Sequence, residues 1–174
     1  TSRDPHPPPP EYVAVSGGIF MDMTIHDLDM ARFLVGSEPE RILAAGGVRI
    51  DPAIGAAGDV DTAVVLITHA DGTLSTIDNS RQAVYGYDQR VEVVGAAGMV
   101  WAENKTPHNT GSGDAAGMHR PLPLHFFMDR YTESFIAEMR AFVQCILTDT
   151  PAPVTGTDGR VPVVMAMAAK RSLL

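Results

Sequence analysis

The sequence is poor in cysteine, in net positive charge and in long apolar runs, and each shortage excludes a class of protein. Its 174 residues include one cysteine, Cys145, so no disulfide can form within the chain. A single thiol is typical of a reducing compartment, and we expect a cytoplasmic protein. No apolar run approaches the ~20 residues of a membrane-spanning helix. The formal net charge of -8, with acidic residues spread along the chain, argues against nucleic-acid binding.

The length suits one domain with its own core, and the pattern of strand-like segments predicts its class. The dipeptide Asp71-Gly72 is favoured in tight hairpin turns and separates two of these segments. The sequence therefore predicts an α+β fold, with a mixed, mainly antiparallel, open-faced sheet of four to six strands and helices on one face. The predicted strands are residues 41–50, 60–69, 73–80, 89–95 and 99–103.

Helical periodicity and capping signals predict three helices. The first runs from about Met21 to the C-terminal cap Gly36. The last follows Thr157, and residues 104–124 have the composition of a loop. The proline-rich residues 1–11 predict an extended linker. The middle helix has one apolar face, expected to be buried, that carries Phe135, Met139, Phe142 and Ile146.

The first of these helices carries the most informative pattern in the chain. At about 100° per residue, Asp22, His26 and Asp29 fall on one face of an ideal α-helix whose other faces are mostly apolar. Unpaired charge inside a protein costs free energy, so this polar face needs a reason. An imidazole beside carboxylates can hold one tautomer and exchange a proton near neutral pH. The pattern therefore predicts a proton-transfer site.

Other interpretations of these residues stay open on the sequence alone. Asp22 and His26 can form a buried structural hydrogen bond, and Asp29 can pair with Arg32 instead of a ligand. A metal site built from Asp22, His26 and Asp29 is a third interpretation, although no second histidine stands at a supporting spacing. Asp27 points away from this face and is interpreted as structural.

Two longer motifs resemble a known family. The first is the Gly-Gly, Asp, His-Asp and Asp pattern of residues 17–29, and the second covers residues 79–95. Both are similar to the second domain of the glucose-fructose oxidoreductase/inositol dehydrogenase family. The second motif is most similar to that family's bacterial inositol 2-dehydrogenases. Residues 1–5, 130–131 and 158–160 extend the resemblance over nearly the whole chain.

The resemblance implies roles for single residues. His26 would be the proton acceptor, and Asp22 would hydrogen-bond beside it. Tyr85 would contact a polyol, because a phenol offers a donor and an acceptor to neighbouring hydroxyls. Asp29 is favoured as a substrate contact by its place on the catalytic face. Further candidates for substrate binding are Arg130, Tyr131 and Thr24, the last only if the first helical turn is irregular.

The resemblance also implies that residues 1–174 are the C-terminal substrate-binding and oligomerisation domain of a longer enzyme. The nucleotide-binding domain would lie outside this chain and hold NAD, with NADP as the alternative. Residues 95–98 are no dinucleotide fingerprint, because a strand follows them where a helix is required. Neither Lys105 nor Lys170 stands in the Glu-Lys-Pro context of the family's catalytic lysine. The chain alone is therefore expected to be inactive.

The implied reaction is oxidation of a ring hydroxyl of myo-inositol or a related polyol to a ketone. The family's members use no metal, and they assemble through the sheet, so a homodimer or homotetramer is expected. Two alternatives remain at this point. One is a related sugar dehydrogenase of the same family, and the other is a non-catalytic module that binds a sugar or holds an oligomer together.

Overall fold

The structure, a computed structural model, describes residues 1–173. It contains a five-stranded sheet in the order β2-β3-β4-β1-β5, two separate two-stranded hairpins and five α-helices within this range. The strands are β1 (Ser2–Arg3), β2 (Pro39–Gly47), β3 (Thr62–His69), β4 (Leu74–Ser80), β5 (Asp88–Gln89), β6 (Val91–Gly95), β7 (Gly98–Ala102), β8 (Ser112–Asp114) and β9 (Gly117–His119). The helices are α1 (Pro10–Ser16), α2 (Ile25–Val35), α3 (Pro52–Ala56), α4 (Phe127–Thr148) and α5 (Gly156–Leu173), and a π-helical turn (Phe20–Thr24) precedes α2.

The sheet confirms the predicted class. Strand β3 pairs antiparallel with β2 and β4, so that Val65 stands beside Ala44 on one side and Ile77 on the other. The turn between β3 and β4 contains Asp71 and Gly72, as the dipeptide predicts, and Gly72 has a φ of 86°. Strand β1 pairs parallel with β4 and antiparallel with β5, which makes the sheet mixed.

The core lies between one face of the sheet and the helices α2 and α5. Because side chains alternate along a strand, β3 buries Ala63, Val65 and Ile67 toward these helices. The opposite face of the sheet remains open, and its exposed apolar side chains are Leu43, Val64, Leu66 and Leu74.

Three expectations need correction. Residues 1–11 are only partly a linker, because Ser2 and Arg3 form β1 and α1 begins at Pro10. Residues 104–124 contain the short hairpin of β8 and β9. The apolar face of α4 was expected to be buried, yet Phe142 is 57% exposed and α4 has no buried residue in the described chain. The reason is that α4 extends away from the core, and no element within residues 1–173 covers its apolar face.

None of the helices within residues 1–173 is long and apolar enough to cross a membrane.

Candidate functional site

The segment that opens the site is shaped by two glycines. Gly17 and Gly18 have φ values of 89° and 88°, a left-handed conformation that side chains with a Cβ rarely adopt. A Cβ on Gly18 would stand 2.6 Å from the Oδ1 atom of Asp59. The missing side chain therefore lets the Asp59 carboxylate approach the backbone, where its Oδ2 atom accepts a hydrogen bond from the Ile19 amide at 2.8 Å.

The turn that follows is π-helical, and this changes the surroundings of Asp22. Its Oδ2 atom accepts a hydrogen bond from Nη1 of Arg81 at 2.9 Å, and its Oδ1 atom accepts one from the Tyr12 hydroxyl at 2.6 Å. The hydrogen bond expected between Asp22 and His26 is not formed. A π-helical turn contains more residues than an α-helical turn, so the ideal α-helical alignment does not hold across it.

His26 is the second residue of α2 and is exposed. Within residues 1–173 its ring has no hydrogen-bond partner, which leaves both ring nitrogens available to a ligand. The neighbouring Asp27 is buried, as expected for a structural residue, and accepts hydrogen bonds from Asn79 at 2.7 Å and Gln89 at 3.0 Å. Burial raises the pKa of the Asp27 carboxyl, and these two hydrogen bonds oppose the rise. The turn that carries His26 is thereby anchored to the sheet.

Arg81 is the buried centre of the site, with a side chain that is 1% exposed. Besides its bond to Asp22, its Nη2 atom lies 3.6 Å from Oδ2 of Asp59. The Nε and Nη2 atoms of Arg81 have no hydrogen-bond partner in the described residues. Asp4 lies close by: burial raises the pKa of its carboxyl, Arg81 opposes the rise and Asp22 adds to it. Two carboxylates thus lie within 4 Å of the guanidinium, and the charge of Asp4 interacts with it.

Two of the predicted substrate contacts have hydroxyl groups that are already engaged. The first helical turn is irregular, as contact by Thr24 would require, but Thr24 is fully buried and donates to Oδ1 of Asn79 at 2.7 Å. The Tyr85 hydroxyl donates to Asp88 at 2.6 Å and accepts from Arg3 at 3.1 Å. Both side chains serve contacts inside the chain in this structure.

Of the remaining predicted residues, Asp29 lies on α2, whereas Arg130 and Tyr131 are neighbours on α4. Asp29 is exposed and has no ion pair in the described chain, because Arg32 binds Glu38 and Asp158 instead. Arg130 and Tyr131 lie in the first turns of α4. Arg130 donates to the Gln89 carbonyl at 2.7 Å and stands 5.7 Å from the centre of the Tyr131 ring.

Several residues at the site were missed by sequence reasoning. Tyr87 packs edge-on against Tyr131, with ring centres 6.0 Å apart. Burial raises the pKa of the Tyr87 phenol well above its usual value, and the nearby Tyr131 and Asp4 add to this rise. The second motif contains Tyr87 and Arg81, but nothing in it shows which side chain turns toward Asp22. The other missed residues are Asp4, Tyr12 and Asp59. Asp4 lies in the segment 1–5 that shares the family resemblance, but Tyr12 and Asp59 lie in no motif and give no sequence signal.

The site is an open surface in this chain. A cavity of about 560 Å³ lies between α2, β4 and the β6–β7 hairpin, but neither Asp22 nor His26 lines it. No group of three or more potential metal ligands occurs in the part of the chain that the structure describes. Residues 95–98 join the antiparallel strands β6 and β7, so they do not fit the pyrophosphate of a dinucleotide.

Comparison with known proteins identifies the family. Residues 1–101, more than half of the chain, match the model of the GFO/IDH/MocA C-terminal domain. The chain belongs to the GFO/IDH/MocA family. Myo-inositol 2-dehydrogenase from Thermotoga maritima is 49% identical over 173 residues, which are 99% of this chain and 52% of that protein. The chain therefore spans about half the length of the curated relatives that it matches.

Two solved structures of inositol dehydrogenases have the same fold over the matched region. The myo-inositol dehydrogenase of Corynebacterium glutamicum has a TM-score of 0.94 and is 39% identical, with 99% of this chain and 52% of that chain covered. The scyllo-inositol dehydrogenase of Lactobacillus casei, solved with bound NAD(H) and scyllo-inositol, has a TM-score of 0.86 and is 28% identical. That match covers 99% of this chain and 53% of the other.

Proposed function

We propose that this chain is the substrate-binding and catalytic domain of an NAD-dependent inositol dehydrogenase, which oxidises a ring hydroxyl of myo-inositol or a related polyol to a ketone. The observation that carries the proposal is the exposed ring of His26, which has no hydrogen-bond partner among the described residues and lies one helical turn after the anchored carboxylate of Asp22. The names of the relatives support inositol as the substrate class.

Oxidation of the alcohol requires a base that removes the hydroxyl proton. A carbinol carbon releases hydride readily only as its hydroxyl proton leaves, and His26 would accept that proton as general base. Asp22 cannot fix the imidazole by a direct hydrogen bond in this structure. Its charge, held in place by Arg81 and Tyr12, would instead stabilise the imidazolium that forms. NAD, when bound, supplies the hydride acceptor.

The substrate would lie on the surface that carries His26. Asp29, with no partner in the described residues, is available to accept hydrogen bonds from ring hydroxyls. The Tyr131 phenol, packed edge-on against Tyr87, is a further candidate contact, whereas the Tyr87 hydroxyl already donates to Oε1 of Gln89 at 3.4 Å. Such contacts determine which ring hydroxyl is presented to His26. Correct positioning lowers a reaction barrier by several kcal/mol, up to ~10.

This surface needs a second domain to become an active site. The catalytic face is open rather than a cavity, and residues 95–98 do not fit a dinucleotide. We infer that NAD is held by a domain corresponding to the remaining half of the relatives, with NADP as the alternative. Calorimetry with the 174-residue chain should accordingly detect no NAD binding, and micromolar affinity would contradict this inference.

The open face of the sheet is our proposed contact in a homo-oligomer. Leu43 and Leu74 are 62% and 64% exposed there, beside Val64 and Leu66. A contiguous apolar patch of this kind usually marks an interface.

A chimera tests the function directly. The part of the Thermotoga maritima relative that precedes the matched region would be joined to this chain, with the parent enzyme as control. We expect the chimera to reduce NAD in the presence of myo-inositol or scyllo-inositol, and less with glucose or xylose. A folded chimera that binds NAD but oxidises none of these polyols would contradict the proposed function.

A further inference from the structure

The cation that binds the Asp22 carboxylate, Arg81, is buried in the site. Arg81 follows β4, 59 positions from Asp22 in sequence, and its guanidinium is almost completely enclosed. A buried arginine is costly to enclose unless its charge is compensated. Here the compensation comes from two carboxylates on different segments, Asp22 at 2.9 Å and Asp59 at 3.6 Å.

We propose that Arg81 is a positioning residue that holds the Asp22 carboxylate in its working orientation, with Asp59 as the second anchor of the guanidinium. The inference rests on the proposed function for its consequence in turnover. The positioning of Asp22 by Arg81 does not depend on that function, because it is inferred from the contacts of Arg81, Asp22 and Asp59 with one another and with Tyr12.

Arg81 can hold Asp22 in place because its own backbone and its second carboxylate partner, Asp59, are both fixed. Its backbone amide donates to the Asp61 carbonyl at 2.9 Å, which fixes the start of the side chain. Asp59 is fixed in turn by the Ile19 amide and by its close approach to Gly18. The glycine pair of the first motif is therefore linked to Asp22 through Asp59 and Arg81. Asp22 would otherwise be free to rotate, because its other partner, Tyr12, is 48% exposed.

The pKa of Tyr12 reports on the position of the Asp22 carboxylate. The hydrogen bond to Asp22 is the main cause that raises the pKa of the Tyr12 phenol, and the charges of Asp22 and Asp4 add to it. Arg81 has the opposite effect on the pKa of Tyr12. Removal of Arg81 therefore has two distinguishable outcomes. If Asp22 moves away, the pKa of Tyr12 falls toward its usual value; if Asp22 stays, the pKa rises because the nearby cation is gone.

The experiment is a carbon-13 NMR titration of the tyrosine rings in the 174-residue chain. The chain has four tyrosines, and the Tyr12 signal is assigned by its loss in Tyr12→Phe. We expect a lowered Tyr12 pKa in Arg81→Met, a smaller decrease in Asp59→Asn and a near-normal titration in Arg81→Lys. A raised Tyr12 pKa in Arg81→Met would overturn the proposal. If Arg81→Met does not fold, Arg81→Gln removes the same positive charge, and the sign of its Tyr12 shift decides in the same way.

A double-mutant cycle in the chimera tests the consequence for turnover. Displacement of Asp22 should lower kcat in Arg81→Met by about 100-fold. Adding Arg81→Met to Asp22→Asn should cause little further loss, because the two residues act through one carboxylate. Losses that multiply would contradict the proposal. Arg171→Met, on the exposed last turn of α5, is the control for loss of an arginine. An inactive wild-type chimera would count against the proposed function but leave the NMR result unaffected.

Discussion

The Oδ2 atom of Asp22 accepts a hydrogen bond from Nη1 of Arg81 at 2.9 Å. Asp22 lies in the π-helical turn before α2, and Arg81 directly follows β4. This contact joins the two sequence motifs that carry the family resemblance. It also replaces the expected hydrogen bond between Asp22 and His26. The carboxylate is thereby held by the sheet, while the imidazole stays exposed for a ligand.

Replacement of Asp22 should affect stability as well as activity. Asp22→Asn removes the charge that compensates the buried Arg81, whose remaining carboxylate partner is 3.6 Å away. We expect a loss of about 1–3 kcal/mol in the free energy of unfolding, because a buried charged donor is left poorly satisfied. Denaturant unfolding of the 174-residue chain measures it. Asp29→Asn is the matched control, since Asp29 is exposed and unpaired in the described residues, and an equal loss in both variants would contradict this explanation.

The Asp158 carboxyl at the start of α5 should make the thermal stability of the protein depend on pH in the acid range. Asp158 accepts hydrogen bonds from the Thr155 amide at 2.8 Å and hydroxyl at 2.7 Å and pairs with Arg32, and these contacts lower the pKa of its carboxyl to about 2. A lowered folded-state pKa means that the stabilisation is complete above the ordinary value of 3.8 and is lost as pH falls toward about 2. Asp158→Asn should therefore have a lower Tm than wild type at pH 6, with the difference closing near pH 2.

Thermal unfolding followed by circular dichroism between pH 2 and pH 6 checks this expectation. Glu92→Gln, which removes an exposed carboxylate without an ion pair in residues 1–173, is the control and should differ little from wild type. A difference between wild type and Asp158→Asn that is constant over the whole range would contradict the assignment.

The open sheet face should drive self-association. Val65 and Ile67 of β3 are buried under the helices, whereas Val64 and Leu66 are exposed on the opposite face. Leu66→Glu places a charge in the centre of this face and should shift the chain toward monomer in light scattering. Ala56→Glu adds the same charge at an exposed site on α3 and should leave association unchanged.

Two results would contradict that expectation. A wild-type chain that stays monomeric at high concentration would remove the interface altogether. Association that survives Leu66→Glu but is lost in Met139→Glu would move the contact to the exposed apolar face of α4.

Local patterns were sufficient to predict the longer strands and the ends of several elements, but not the short strands β1, β8 and β9. Strand residues alternate between core and solvent, and the β3–β4 turn follows from Asp71-Gly72. The end of α2 follows from Gly36, which has a φ of 68° and donates to the Arg32 carbonyl. These features depend on residues only a few positions apart, so the local sequence is sufficient to predict them.

The partners of the site residues could not be predicted in this way. The π-helical turn departs from the period on which the Asp22–His26 alignment depended. The contact of Asp22 with Arg81 spans 59 positions, and Tyr85 and Tyr87 have the same local pattern but different surroundings. The apolar face of α4 has the period of a buried helix, yet nothing in the described chain covers it. Long-range packing, which periodicity does not encode, determines each of these.

The proposed role of His26 as general base can be tested with one substitution. His26→Ala in the chimera should lower kcat by about 100- to 10,000-fold while KM changes little, because proton removal matters in the transition state and other groups still hold the substrate. The Tm should hardly change, since the His26 ring is exposed and forms no hydrogen bond in residues 1–173. His119→Ala, on the exposed strand β9, should keep wild-type turnover. Near-wild-type kcat in a folded His26→Ala chimera would contradict the account.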